Sequence, residues 1–427
     1  MKKTEILSNG INLITHQLQN THCVTISINF RVGSLFENDD TLGITHLIEH
    51  LFFRQFGDLS HKELFMKTYA LGAEITASTN YNYVSFNITI IPKYFREAFA
   101  IITKCLTAFH WWESLIDAEK KTVINEIANK CNSFDNWVDS LYFENTPHSR
   151  PILGTVDTIE QLTSQQINLW KDNYFCPENS CVTIIGNFSN EDYAQSIFHL
   201  SGFKRFGNLS DNIICYPKNF ANRNADNRYT IIDDESDLSD VVMFIDIPQS
   251  IDFETARLMS SIIGEGYGSV LGLALREKNF FTYDVYTKIN CYNGFYRLTI
   301  AYSVANKSIL DSITCLFKEL IDFKHSSIDE QFNSNIAFFT DNQIMDYDNT
   351  QVLTNNYVLS DFIFKGQIIS EPTERKEKYR SISAKDILST FQKVFIAKNI
   401  SFIVQTSLDE IKLIKHCESL INQMQDT

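Results

Sequence analysis

Residues 43–53, GITHLIEHLFF, constrain this chain more than any other stretch. Read as a helix, they put His46 and His50 at i and i+4, one turn apart on one face. Neutral imidazole nitrogens so placed grip a single metal ion, and zinc suits such ligands. Glu49 stands one residue before the second histidine, within reach of a water bound to that ion. A carboxylate there takes the water's proton, once the metal has lowered the water's pKa toward neutrality. The apolar residues Ile44, Leu47, Ile48, Leu51, Phe52 and Phe53 seat the helix in a core. The plainer alternative is an amphipathic helix with two histidines on its polar side.

Two histidines leave a tetrahedral zinc short of one protein ligand and a water. A second helix, expected over 117–130 with the sequence DAEKKTVINEIANK, carries Glu119 and Glu126 two turns apart on one face. Glu126 is a candidate third ligand, and Glu119 a candidate to orient the site from behind. Spacing alone does not separate these roles from two solvated charges on a Lys-rich helix.

A chain of 427 residues exceeds one compact core, so two domains are expected. The first is α+β and spans 1–205. It opens with a hairpin turning at Asn9-Gly10 and a half-buried strand VTISINF. After the motif come a helix over 60–71 capped by Ser60, a strand pair over 73–91, and a helix over 94–109. The helix over 117–130 follows, then a helix capped by Thr163 or Ser164 and the strand CVTIIGNF. Residues 206–228, rich in Asn, Asp and Arg, read as a linker. Over 229–427 the order recurs: strand VVMFIDIP, a helix over 252–263, the helix GSVLGLALREK, strands around 283–289 and 296–302, further helices and ISFIVQ. The fold class expected is α+β, with two similar domains, each an antiparallel-rich mixed sheet flanked by helices.

Charge limits the partners. Acidic residues outnumber basic ones 52 to 37, for a net −15, which repels nucleic acid. MKKTEILSNGINLITHQ lacks the apolar run of a secretory signal, and no stretch of 18 apolar residues spans a membrane. Nine cysteines without C-x-x-C spacing read as reduced thiols, hence a cytoplasmic protein.

H-x-x-E-H is the motif of the inverzincin peptidases, and the likeness extends well beyond it. NGINLI, Val32-Gly33-Ser34 with Glu37, LGAEITASTNYNYVSF, EKKTVINEI, RPILGT, NYFCPENSCVTIIGNF and GSVLGLALREKNFFTYDV together resemble the pitrilysin/insulinase family. The chain is similar to its half-length members, such as mitochondrial processing peptidase subunits. The resemblance implies zinc on His46, His50 and Glu126, the last 76 residues past the second histidine, with Glu49 as base and Glu119 in support. It also matches Arg276 and Tyr283 to a pair that holds the substrate backbone and the tetrahedral intermediate. Thr76 departs from the pattern, since the family commonly has an asparagine there and threonine lacks its amide.

The function so implied is a zinc endopeptidase cleaving peptides, or leader sequences and presequences, inside a chamber closed by two half-length subunits. Those subunits are two copies of this chain, or this chain and a related partner. The competing expectations are a non-catalytic subunit and a module that sequesters peptides without cutting them.

Overall fold

The computed structural model describes residues 2–130, 134–144, 146–206, 229–233, 235–266, 268–292 and 295–425. The linker expected over 206–228 lies, but for its first residue, outside them. The chain forms two units. The first takes the described residues up to Phe206 and also Met345–Gly366; the second takes the rest. Residues 345–366 therefore depart from the single stretch 229–427 expected for the second domain.

In the first unit, strands β1 (Lys2–Ile6), β2 (Asn12–Gln17), β3 (Val24–Phe30), β6 (Ile75–Thr79), β7 (Val84–Ile90) and β8 (Ser180–Gly186) form one sheet. Its order is β1-β2-β8-β3-β7-β6. Only β2 and β8 run parallel. Two short strands, β4 (Gln55–Phe56) and β5 (Leu59–Ser60), pair by themselves. The hairpin turns at Gly10, whose φ of 93° favours glycine.

Helix α1 (Ile44–Arg54) carries the motif, and α2 (His61–Ala70) starts from a Ser60/Glu63 capping box. Helix α3 (Phe95–Ile102) stops short of the expected 109, its last turn tightening into a 3-10 segment. Helix α4 (Glu113–Lys130) begins four residues before the expected start at 117. Thr163 rather than Ser164 caps the helix Ser164–Tyr174, with Gln166 closing the box.

Strand β3 alternates as expected, with Val24, Ile26, Ile28 and Phe30 in the core alongside Leu47, Ile48 and Phe52 of α1. Yet Thr25, Ser27 and Asn29 on its other face are buried too. The returning segment accounts for this. Leu353, Tyr357, Val358 and Phe362 pack against Ile14, Cys181 and Ile185 of the sheet. The Thr350 and Thr25 hydroxyls meet at 2.7 Å, and His16 Nδ1 lies 2.6 Å from the Tyr357 hydroxyl. A strand expected to be half-buried is thus buried on both faces.

The second unit repeats the plan. Strands β9 (Tyr229–Asp233), β10 (Leu238–Pro248), β11 (Tyr286–Tyr292), β12 (Phe295–Ala305) and β13 (Ile400–Thr406) are ordered β11-β12-β10-β13-β9. Here β9 and β13 form the parallel pair. Two details differ from expectation. Tyr283 precedes β11 and stands on a loop, and the helix around GLALREK has wide π-type turns over Gly272–Lys278.

Candidate metal centre

The site begins with how α1 is held. Its N-cap is Gly43, at φ 82°, with no side chain to cap the helix. A Cβ on Gly43 would stand 2.5 Å from the Leu153 carbonyl oxygen, and one on Gly154 would stand 2.5 Å from that of Leu42. Two left-handed glycines pressed together thus fix the start of the helix. The missing cap comes from Glu37, whose carboxylate accepts from the Gly43 N–H at 2.8 Å and the Thr45 N–H at 3.0 Å. Burial pushes the Glu37 pKa up to about 7, against the pull of those two hydrogen bonds.

From this helix His46 and His50 point at Glu126 of α4. His46 Nε2 lies 3.3 Å and His50 Nε2 3.2 Å from the same oxygen, Glu126 Oε2. One ligand atom from each residue falls within 4.8 Å of the other two. Zinc bonds of ~2.0–2.1 Å to nitrogen and oxygen imply tetrahedral edges of roughly 3.3 Å, so both gaps to Glu126 match a zinc cradle. The donor set, two imidazoles and a carboxylate with one position left over, is chemistry that zinc accepts.

The next layer fixes the ring of His50. Its Nδ1 lies 3.0 Å from Glu119 Oε1, and the other oxygen of Glu119 accepts from the Arg54 Nε–H. Burial raises the Glu119 pKa, but the hydrogen bonds and charges of His50 and Arg54 outweigh it and lower the net value. An ionised Glu119 only accepts, so Nδ1 carries the proton and Nε2 keeps its lone pair toward the cradle. For His50 itself, burial disfavours the charged form, yet Glu119, Glu126 and Glu49 together raise its pKa.

Glu49 is buried on the same helix face, with Oε2 3.7 Å from His46 Nδ1. The Thr79 hydroxyl donates to that oxygen at 2.6 Å. Thr76 is exposed on β6, the edge strand of the sheet.

Arg276 and Tyr283 belong to the second unit. The Arg276 guanidinium stacks 4.9 Å over the Tyr283 ring and its Nε pairs with Glu277 at 3.3 Å. Both line a concavity of about 720 Å³ with Phe280, Phe281 and Ser303. Tyr283 is 83% exposed, so its ring is not a core aromatic.

The structure therefore gathers His46, Glu49, His50, Glu119 and Glu126 within the first unit, and within the second it stacks Arg276 on Tyr283. Three further residues, Glu37, Thr79 and Arg54, were given no role at the site by the sequence. Glu37 and Thr79 act across gaps that no periodicity marks. Arg54, one turn past His50 on the same face, left a legible signal.

Two family matches agree with this layout. Residues 13–156 match the family described as Insulinase (Peptidase family M16), and residues 161–332 match the Peptidase M16 inactive domain. The chain belongs to the M16 insulinase family of peptidases. An uncharacterised zinc protease of Rickettsia bellii is 23% identical over 416 residues, covering 93% of this chain and 96% of its own length. A probable mitochondrial-processing peptidase subunit beta of Arabidopsis thaliana is 21% identical, covering 72% of this chain and 60% of its own. In fold, the chain is similar to a protease from Helicobacter pylori: TM-score 0.80 and 17% identity, over 95% of this chain and 99% of the other.

Proposed function

We propose that this chain is a zinc endopeptidase working as one half of a two-subunit chamber. One observation carries the reading: the Nε2 atoms of His46 and His50 lie 3.3 and 3.2 Å from one oxygen of Glu126, roughly the edge length of a zinc tetrahedron, with the buried Glu49 carboxylate on the same helix face. These four residues fall within the matched span 13–156, and relatives named zinc proteases support the metal.

His46, His50 and Glu126 would hold the ion, which when bound acidifies a water and polarises a carbonyl. Glu49 takes the proton of the attacking water and returns it to the leaving amine. Glu119 keeps His50 in its ligating tautomer. The peptide adds as an extended strand to β6, whose outer edge has no partner strand among the described residues. Recognition is then mainly through backbone, with loose sequence preference. Exposed Thr76 offers this strand no amide, which weakens its grip. Arg276 and Tyr283 supply donors to the oxygen that gains charge, from the facing subunit of a homodimer or of a related heterodimer.

Leader peptides of small precursors are the substrate class proposed, and the cytoplasm the compartment. The seven described cysteines are free thiols, in keeping with a reducing environment. Among the described residues no helix is long and apolar enough to cross a membrane.

The test is cleavage of an unfolded peptide library by zinc-loaded protein. Glu49→Gln should keep the metal and lose roughly 10²–10⁴-fold in turnover. Undiminished cleavage by that variant would remove the base. The description of 161–332 as an inactive domain favours a second reading, a subunit that binds peptides without cutting them. Peptides recovered whole from a zinc-loaded complex would select it.

A further inference from the structure

We infer that Thr79 is a positioning residue for Glu49 and ties the edge strand of the sheet to the orientation of the base. The inference rests on the peptidase reading, which alone makes Glu49 a base.

Thr79 is the last residue of β6, and α1 packs against that strand. Its hydroxyl donates to Glu49 Oε2 at 2.6 Å across 30 residues of chain. An ionised carboxylate only accepts, so the proton in this bond is the threonine's. His46 Nδ1 also faces Oε2, at 3.7 Å. Both contacts thus fall on one oxygen, which leaves Oε1 for the proton of a water. The hydroxyl is well placed to set direction. Thr79 sits opposite Val84 in the β6–β7 ladder, and a β-branched side chain has few χ1 choices on a paired strand.

Among the described residues, β6 has a partner strand on one side only. A peptide adding on the other side would complete the ladder around β6 and restrict Thr79, and with it Glu49. Substrate binding would then align the base. A group acting in this way changes turnover and leaves ground-state binding alone.

Two substitutions test this in the zinc-loaded full chain. Thr79→Val keeps the branched shape and removes the hydroxyl; Thr79→Ser keeps the hydroxyl. On an unstructured peptide, Thr79→Val should lose roughly 10–100-fold in kcat, the range seen when an outer hydrogen-bond partner is removed. Its KM and zinc content should hold within about twofold, and Thr79→Ser should recover most of the rate. Wild-type kcat in Thr79→Val, a loss confined to KM, or equal defects in both variants would overturn the proposal. A crystal structure of zinc-loaded Thr79→Val gives a second readout that needs no turnover. Glu49 should leave its native rotamer there, and an unmoved Glu49 would overturn the coupling. Failure of the wild-type enzyme to cleave any peptide would instead sink the peptidase reading, and the rotamer would still report on Thr79.

Discussion

The two units are one plan used twice. Reading across each sheet, β6-β7-β3-β8-β2 in the first corresponds to β11-β12-β10-β13-β9 in the second, with one parallel pair in the same place. Both have a helix in the slot between the third of these strands and the edge strand: α1 in one, Phe253–Gly264 in the other. Their contents differ. ITHLIEHLFFR presents two imidazoles and a carboxylate, whereas FETARLMSSIIG buries Ala256, Leu258, Met259 and Ile262 and has no histidine. A fold does not bring chemistry with it; a few side chains on one copy of a shared scaffold do.

Matched core truncations would sharpen this contrast most. Leu47 in α1 and Leu258 in the second unit's helix are both fully buried. Leu47→Ala and Leu258→Ala should each cost about 2–5 kcal/mol, since each leaves a cavity that its surroundings only partly fill. Urea unfolding measures that cost, and a zinc titration separates the pair. Leu47→Ala should weaken the metal site that its helix carries, while Leu258→Ala leaves the affinity as it was. Equal losses of zinc in both would break the division into a chemical copy and a structural one.

How much of this was legible beforehand follows the range of each interaction. The i, i+4 histidines and the glutamates of α4 are short-range patterns, and the structure brings them together. The recurrence of strands and helices was legible for the same reason. The return of 345–366 was not, because its apolar residues match a helix packed anywhere, and only the sheet of the first unit shows where they bury. Tyr283 alternates acceptably as a strand residue, but the ladder begins only at Tyr286. The π-type turns at 272–278 carry no distinct composition; GLALREK would suit an α-helix equally well.

The starts of the two helices differ in a way that pH exposes. In the second unit Asp252 caps locally, accepting from the Thr255 N–H at 3.0 Å. In the first, Glu37 does so from six residues before Gly43 and is buried. Its folded pKa of about 7 lies above the ordinary 4.5, so between those values the native state keeps a proton that the unfolded chain has released. Stability from this group is full below the lower value and is lost as pH rises through the upper one. Between pH 5 and pH 7.5, the wild type should lose on the order of 2–3 kcal/mol relative to Glu37→Gln, which cannot titrate. The slope of that difference is what urea melts must read, because the amide also changes the hydrogen bonds by a constant amount. A flat difference would mean that Glu37 stays ionised in the fold, held by its two backbone donors.

The far ends of the same helices give the smallest effect. The second unit's helix ends at Gly264, where a Cβ would meet the Thr287 side chain at 2.2 Å, so that end closes directly on a strand. Helix α1 ends at Arg54, which reaches Glu119 and through it steadies the Nδ1 side of His50. Arg54→Met keeps the apolar stem and removes the donor. Arg54 is one step further from the ligand than a direct partner, and its side chain is 39% exposed, so water can replace part of its contact. Zinc affinity should therefore fall by about tenfold, the low end of the range for outer partners, in a competition titration against a chromogenic chelator. Glu119→Gln should fall further, because it leaves the imidazole without its acceptor charge. If both variants bound zinc as tightly as the wild type, the chain from Arg54 to Glu119 to His50 would be a surface ion pair that happens to end near the site. The two helix ends would then differ only in how they pack.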